Sequence, residues 1–200
     1  MAEFGSAGKA AKMFRHAISG LLTTATDEKM VSRFVKAMRN VAATDLTNLR
    51  GSRIVSKGAL ELLTGFNFNI DSPLETVFYA TYSAAIDRVA GTLKIDIPGF
   101  QPNTMLPPAP GATHFKIYSA GLEIDFLKET VKLDSQQSAF LPCDNNVTAN
   151  ITQLHNATPN STSHLFLLMG VQFYQEVNGQ FYALQNKKKN PLAIISVDKG

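Results

Sequence analysis

The hydrophobic and polar positions of this chain follow two different periods, one in each half. In residues 1–69, apolar side chains recur every three or four positions, which is the period of an amphipathic helix. From residue 70 onward, apolar side chains alternate with polar ones, which is the period of a half-buried strand. The pattern predicts an α+β protein in which a helical segment, residues 1–69, packs on an antiparallel β-sandwich, immunoglobulin-like or jelly-roll-like, formed by residues 70–200.

The clearest element is a long β-hairpin predicted between His164 and Leu184. Apolar residues alternate along one side of its first arm, namely Leu165, Leu167, Met169, Val171 and Phe173. The pair Asn178-Gly179 follows, and it readily adopts the positive φ angles of a type I′ turn. This turn predicts three cross-strand pairs, which are Val177 with Gln180, Gln175 with Tyr182 and Phe173 with Leu184. The opposite face carries Tyr174 and Phe181, so we expect it to meet the helical segment or a partner chain.

The first half predicts two helices joined as an antiparallel hairpin. The first runs from Ser6, the expected N-cap, to Thr24. The second opens at Thr26-Asp27-Glu28, where a capping hydroxyl precedes two acids that favour the helix dipole. Four apolar residues are expected to dock on the β domain: Phe14, Ile18, Phe34 and Met38. Three basic residues are expected to share the outer face of the second helix: Lys29, Arg33 and Lys36.

Short strands are predicted through the second half. Leu74 to Tyr82 is rich in Phe, Tyr, Thr and Val, which favours a strand. Ala120-Gly121 is expected to turn the chain between two strands, and Ala139 to Leu141 predicts a weak strand. A turn is expected at Lys187 to Asn190. The total is roughly eight or nine strands without interleaved helices, which favours a sandwich over an α/β sheet.

Composition narrows the classes of protein. Hydrophobic residues make up 44% of the chain and charged residues 18%, which is typical of a globular protein. The longest apolar run, Leu165 to Val171, is far shorter than the roughly 20 residues of a membrane helix. Lys9, Lys12 and Arg15 interrupt the region where a signal peptide would be apolar. We therefore expect no membrane span, and a cell-surface, extracellular or particle-associated location only if the chain is a processed or truncated form.

Reactive side chains are scattered along the sequence. The histidines (His16, His114, His155 and His164) lack the spacing of a zinc site, and Cys143 is the single cysteine. Gly5 to Lys9 resembles a phosphate-binding loop only superficially, because Ala10 replaces the Ser or Thr that magnesium needs. The sequence therefore predicts a protein that is not an enzyme and that binds no cofactor or metal.

The net charge of +3 is unevenly distributed, because residues 1–53 carry +5 and the remainder carries −2. The basic helical face and the run Lys187-Lys188-Lys189 could contact phosphates. Neither basic segment is interleaved with aromatic residues, and any solvated helix needs a charged face. Nucleic-acid binding is therefore a minor alternative.

Several segments resemble a known family. They are Glu3 to Ala10, Asp27 to Arg33, Thr44-Asp45 with Arg50-Gly51, Gly65 to Asn69, Phe173 to Gly179 and Asn190 to Leu192. Over nearly the whole chain they resemble a family of conserved, uncharacterised proteins of Bacteroidota. The resemblance implies a helical segment followed by a β-sandwich, and it implies no catalytic residue and no cofactor. Members usually have strand-like sequence before the Glu3-Phe4-Gly5 segment, at which this chain nearly begins.

These observations favour a non-enzymatic structural or assembly protein, such as a self-associating subunit of a surface filament or a phage-like particle. The expected partner is a second copy of the chain or another protein. The candidate interaction residues are Tyr174, Phe181 and Tyr182. One alternative is a ligand- or carbohydrate-binding module built on loops of the sandwich. The other is a nucleic-acid-associated protein that uses the basic helical face.

Overall fold

Three layers build the fold: a helical layer, a central sheet and a smaller outer sheet. The structure is a computed structural model, and it describes residues 2–184 and 189–200. The helical layer comprises α1 (Ala2–Ala17), α2 (Ser19–Leu22), α3 (Met30–Ala43) and two short 3-10 helices, Val55–Lys57 and Leu60–Leu63. Two further single-turn helices are α4 (Leu74–Val77) and α5 (Pro102–Met105). The predicted α+β class with an antiparallel β-sandwich is confirmed.

The described residues form nine strands. They are β1 (Ser83–Asp87), β2 (Thr92–Ile97), β3 (His114–Asp125), β4 (Thr130–Gln137), β5 (Leu141–Pro142), β6 (Ile151–Asn156), β7 (His164–Val177), β8 (Gln180–Ala183) and β9 (Leu192–Asp198). The outer sheet has the order β1-β2-β6. In the central sheet, β3 and β7 lie in the middle; β4 and β5 pair with β3, while β8 and β9 pair with β7. Every pairing among these strands is antiparallel.

Strand β7 is buried on both faces over most of its length, because a different layer covers each face. The odd-numbered side chains of β7, from Leu165 to Phe173, face the outer sheet. They pack in one core with Leu93, Ile95 and Ile97. Phe166 and Leu168 pack in a second core with the helical layer. The predicted docking residues Phe14, Ile18, Phe34 and Met38 are all fully buried in that second core. Their predicted role is confirmed.

The β7–β8 hairpin has the predicted register. Val177 pairs with Gln180 and Gln175 pairs with Tyr182, while the Leu184 amide donates to the Phe173 carbonyl at 2.9 Å. Asn178 and Gly179 have φ angles of 52° and 76°, as a type I′ turn requires. The Asn-Gly pair therefore determines how the hairpin closes.

The predicted helix boundaries were wrong at two places. Helix α1 begins at Ala2 instead of at Ser6, and a turn at Ile18 separates it from α2. Helix α3 begins at Met30, and Thr26 provides no cap. Asp27 accepts a hydrogen bond from the Lys29 amide at 2.8 Å, and its other oxygen binds Arg33 and the Ile70 amide. The Asp27 carboxylate therefore joins the helix start to a distant segment.

Three predictions for the β half were also wrong. Residues 74–82 form α4 and an extended segment instead of a strand, because Asn67 Oδ1 accepts a hydrogen bond from the Leu74 amide at 2.8 Å and so caps the short helix. Ala120-Gly121 lies inside the continuous strand β3 instead of at a turn. Gly121 is needed there because a Cβ atom would lie 2.7 Å from His155 Cβ. Helix α5 also interrupts the strand succession, contrary to expectation.

The middle of the central sheet contains a close contact between Tyr118 and Gly170, which are paired across β3 and β7. The Tyr118 ring lies across Gly170, and its hydroxyl donates to the Pro191 carbonyl at 3.1 Å. A Cβ atom on Gly170 would lie only 2.3 Å from Tyr118 Cζ. Only glycine fits at this position of β7.

Candidate functional site

A group of aromatic side chains lies on the helix-facing side of the hairpin, beyond the part of β7 that packs on the helices. We call it the hairpin cluster; its members are His114, Lys116, Phe140, Tyr174 and Phe181. Phe140 is its centre. The Phe140 ring stacks on Phe181 with centroids 4.0 Å apart, and it meets the edge of Tyr174 at 4.9 Å. Lys116 Nζ lies 4.0 Å from the Phe140 ring centroid, which is a cation–π distance.

Polar contacts hold the rim of the hairpin cluster. The Tyr174 hydroxyl donates to Gln172 Oε1 at 2.9 Å, and partial burial raises the pKa of Tyr174. Lys116 Nζ donates to Gln137 Oε1 at 3.2 Å, which keeps the ammonium over the ring. The hairpin cluster is therefore an ordered surface with a fixed positive charge at its edge.

The structure brings together two of the three predicted interaction residues. Tyr174 is half-buried against Phe140, and Phe181 is 36% exposed on the same face. Tyr182 is 59% exposed but pairs with Gln175, which places it on the opposite face of the hairpin. The sequence placed Phe140 in a predicted weak strand, Ala139 to Leu141, whereas the strand found there is β5, Leu141–Pro142. So short a segment has no periodicity that would assign Phe140 to the hairpin face.

Strand β8 exposes all four of its residues, and among the described strands it pairs only with β7. Its outer edge, beside the hairpin cluster, therefore has backbone donors and acceptors that no other strand of the described residues pairs with. Such an edge is a template for pairing with another strand.

A buried Ser–His contact lies between the two sheets and was not predicted. Ser119 Oγ is 2.7 Å from His155 Nε2 and donates to Gln153 Oε1 at 2.5 Å, while Gln153 donates to the Ile117 carbonyl. Burial lowers the pKa of His155, so its ring is neutral at neutral pH. His155 Nδ1 has no partner among the described residues, and both Ser119 and His155 are fully buried. Their hydrogen bonds therefore link the two sheets, and no substrate could reach the Ser119 hydroxyl.

A cleft of about 570 Å³ separates α1 from the β3–β4 turn, and we call it the helix cleft. Its apolar lining comes from Met13, Ala17, Val55, Phe126, Leu127 and Val131. Lys12 and His16 lie at its rim, and an ion pair between Lys9 and Glu129 crosses it. The Ser56 hydroxyl, on a residue that also lines the cleft, is buried without a hydrogen-bond partner in the described part of the chain.

The predicted basic face of the second helix is only partly present. Arg33 turns inward, where it pairs with Asp27, donates to the Asn67 carbonyl at 2.9 Å and lies over the Phe66 ring. Its expected place beside Lys29 and Lys36 on the outer face was wrong, because a buried carboxylate binds it. Lys187 and Lys188 of the predicted basic run and turn lie outside the described residues.

Other reactive groups are dispersed. Burial raises the pKa of the Cys143 thiol to about 11, so the thiol is protonated at neutral pH. Within residues 2–184 and 189–200, no three His, Cys, Asp or Glu side chains are grouped so that they could hold a metal ion. In the same residues, no helix combines the length and the apolar character needed to cross a bilayer. No protein-family model, curated protein or solved structure matches this chain.

Proposed function

We propose that this protein is a non-enzymatic structural subunit that associates with copies of itself through the β7–β8 hairpin. The observation that carries the proposal is the exposed outer edge of β8 beside the hairpin cluster. A surface filament or a particle shell is the kind of assembly in which such a subunit would function.

Pairing between two β8 edges has a defined geometry. A two-fold axis perpendicular to the sheet joins antiparallel edge strands and keeps each face on its own side. Residues opposite each other must then both be odd or both be even in number. Two registers pair three residues of each β8 strand, and they place Phe181 opposite Phe181 of the second copy, or Tyr182 opposite Tyr182 of the second copy. In the first register, the two hairpin clusters form one continuous aromatic surface.

The absence of charge in β8 permits a second copy as the partner. The four residues of β8, Gln180 to Ala183, carry no charge. Like charges directly opposite each other destabilise a sheet, and pairing of two β8 strands places none there. The flanking cation of the hairpin cluster, Lys116, is already held over Phe140.

The test measures solution mass by size-exclusion chromatography with light scattering over a series of concentrations. The wild type should shift toward a dimer or a larger assembly as its concentration rises. Phe181→Lys should remain a monomer, because in the register that joins the two hairpin clusters the lysine of one copy would face the lysine of the other across the two-fold axis. Phe181 is a better target than Tyr174, because Phe181 lies in the edge strand β8 itself and is the more exposed of the two rings.

Val89→Lys is the matched control, since Val89 is exposed in the β1–β2 turn of the outer sheet. It should associate like the wild type. Circular dichroism should show that both variants keep the wild-type fold. A wild type that stays monomeric at the highest concentration would refute the proposal.

The helix cleft favours a second candidate, a ligand-binding module. Its apolar lining and the Lys12 ammonium beside the His16 ring at its rim would suit a small apolar molecule with an anionic group. Calorimetric titration with decanoate, compared with uncharged decanol, tests it. Lys12→Gln should weaken decanoate binding, and Lys36→Gln on α3 should not. Binding of neither molecule would exclude this class of ligand.

A further inference from the structure

The loop after α3 exposes two leucines almost completely. Leu46 is 93% exposed and Leu49 is 85% exposed, more than any other large apolar side chain in the described residues. Both lie in the polar segment that links α3 to the 3-10 helix at Val55–Lys57. Exposed apolar side chains that are grouped, rather than scattered singly, mark interaction surfaces, and these two leucines lie three positions apart in one loop.

The buried carboxylate of Asp45 holds this loop in shape. It accepts hydrogen bonds from the Thr47 amide at 2.8 Å, the Asn48 side-chain amide at 2.7 Å and the Ile54 amide at 3.1 Å. Burial alone would raise the pKa of Asp45, but these hydrogen bonds hold it well below its usual range. The carboxylate is therefore ionised at neutral pH, and the leucines project from an ordered turn.

The start of α1 belongs to the same end of the helical layer. Glu3 Oε2 accepts a hydrogen bond from the Gly51 amide at 2.7 Å, which ties the first turn of α1 to the loop. The adjacent Phe4 is 59% exposed, and the Arg39 guanidinium lies 5.2 Å from its ring centroid. Phe4, Leu46 and Leu49 are thus exposed apolar side chains at the same end of the helical layer, which we call the helical tip.

Arginines supply the charge of the helical tip. They are Arg39 against Phe4, Arg50 in the loop and Arg53, which donates to the Ala43 carbonyl at 2.9 Å. None of the three forms a salt bridge within the described part of the chain. The acids of this surface, Glu3 and Asp45, already accept hydrogen bonds from the loop. The three arginines therefore outnumber the two acids of the helical tip, and no arginine among them is held in an ion pair within the described residues.

We propose that the helical tip binds the surface of an anionic lipid bilayer, with Leu46, Leu49 and Phe4 entering the headgroup region and the arginines contacting lipid phosphates. Leucine and phenylalanine beside basic residues are the composition of interfacial membrane segments. The contact rests on the surface and requires no membrane-spanning helix.

Co-sedimentation of the full chain with vesicles tests this proposal. Vesicles of phosphatidylcholine with phosphatidylglycerol should bind the protein, and vesicles of phosphatidylcholine alone should bind it much more weakly. Rising salt should weaken the binding, because the arginine contribution is screened. The double variant Leu46→Ser with Leu49→Ser should lower the partition coefficient by about tenfold or more, since two apolar side chains no longer leave water.

Matched variants separate the contributions. Val147→Ser removes an exposed apolar side chain before β6 and should leave vesicle binding unchanged. Arg50→Gln should weaken binding to anionic vesicles and reduce its dependence on salt. Phe181→Lys should still bind vesicles, which separates this proposal from self-association. Absence of binding to anionic vesicles, or equal binding by the double leucine variant with a wild-type melting curve, would overturn the proposal.

Discussion

The helix-facing side of the central sheet carries two aromatic clusters, and they differ in what lies above them. In the covered half, Phe166 of β7 meets the edge of Phe14 from α1 at 4.9 Å, and both rings are fully buried. In the open half, Tyr174 of the same strand packs against Phe140, and Phe181 remains partly exposed. The same face of β7 is therefore part of the hydrophobic core where the helical layer covers it. Beyond the helical layer it is an ordered surface.

The largest expected effect lies in the covered half. Phe34→Ala should lower the free energy of unfolding by roughly 3–5 kcal/mol, because the ring is fully buried between Phe14 and Phe68 and leaves a cavity. Chemical denaturation measures the change. A loss below that of a surface substitution such as Val89→Ala would show that the helices do not stabilise the sheet.

The hairpin turn should show an intermediate effect. Gly179→Val forces a β-branched residue to a φ of 76° and should cost about 1–3 kcal/mol of unfolding free energy. Gly179→Asn is the control, since asparagine tolerates this conformation and should cost much less. Equal melting temperatures for wild type and the valine variant would contradict the role assigned to the turn.

Lowering the pH should lower the free energy of unfolding, because two histidines are buried. Burial lowers the pKa of His155 and of His164, and His164 lies on the helix-facing side beside Phe126. Below about pH 6.5 both histidine rings bind protons in the unfolded chain. In the folded protein their lowered pKa values oppose protonation. The free energy of unfolding therefore falls as the pH drops below about 6.5. Denaturation between about pH 7 and pH 5 should show this decline. His164→Gln should make it shallower, and a pH-independent unfolding free energy would contradict the argument.

The smallest effect on stability is expected in the open half. Phe181→Ala removes a partly exposed ring and should lower the unfolding free energy by no more than about 1 kcal/mol. The same variant should abolish the concentration-dependent increase in mass. Loss of stability comparable to that of Phe34→Ala would mean that the hairpin cluster is part of the core, and the contrast between the two halves would fail.

The sequence predicted those elements whose signals are local. Asn178-Gly179 determines its turn through backbone preferences alone, and the apolar spacing of Phe34 and Met38 identifies a buried helix face. Distant contacts produced the errors. Residues 74–77 resemble a strand in composition, but Asn67 caps them as a helix. Arg33 resembles a surface cation, but Asp27 draws it inward.

The residues of the candidate surfaces also fall into those that local sequence signals place and those that distant contacts place. Tyr174 and Phe181 could be placed on one face from the hairpin register, whereas Phe140 reaches them from a loop whose position no periodicity indicates. The sequence alone gave no sign that Asp45 holds a loop in place. Its role at the helical tip depends on burial and on donors up to nine residues away.

The contact between Tyr118 and Gly170 bears on how the sheet avoids misfolding. A slip of one residue between β3 and β7 would turn apolar side chains to the wrong layer, so the hydrophobic pattern already opposes it. A slip of two residues keeps every side chain on its correct face, so the alternation of apolar and polar residues does not oppose it. Such a slip would place Leu168 or Gln172 opposite Tyr118, where the ring now occupies the space of a Cβ atom. A single glycine thus excludes the misaligned sheet that hydrophobicity alone would permit.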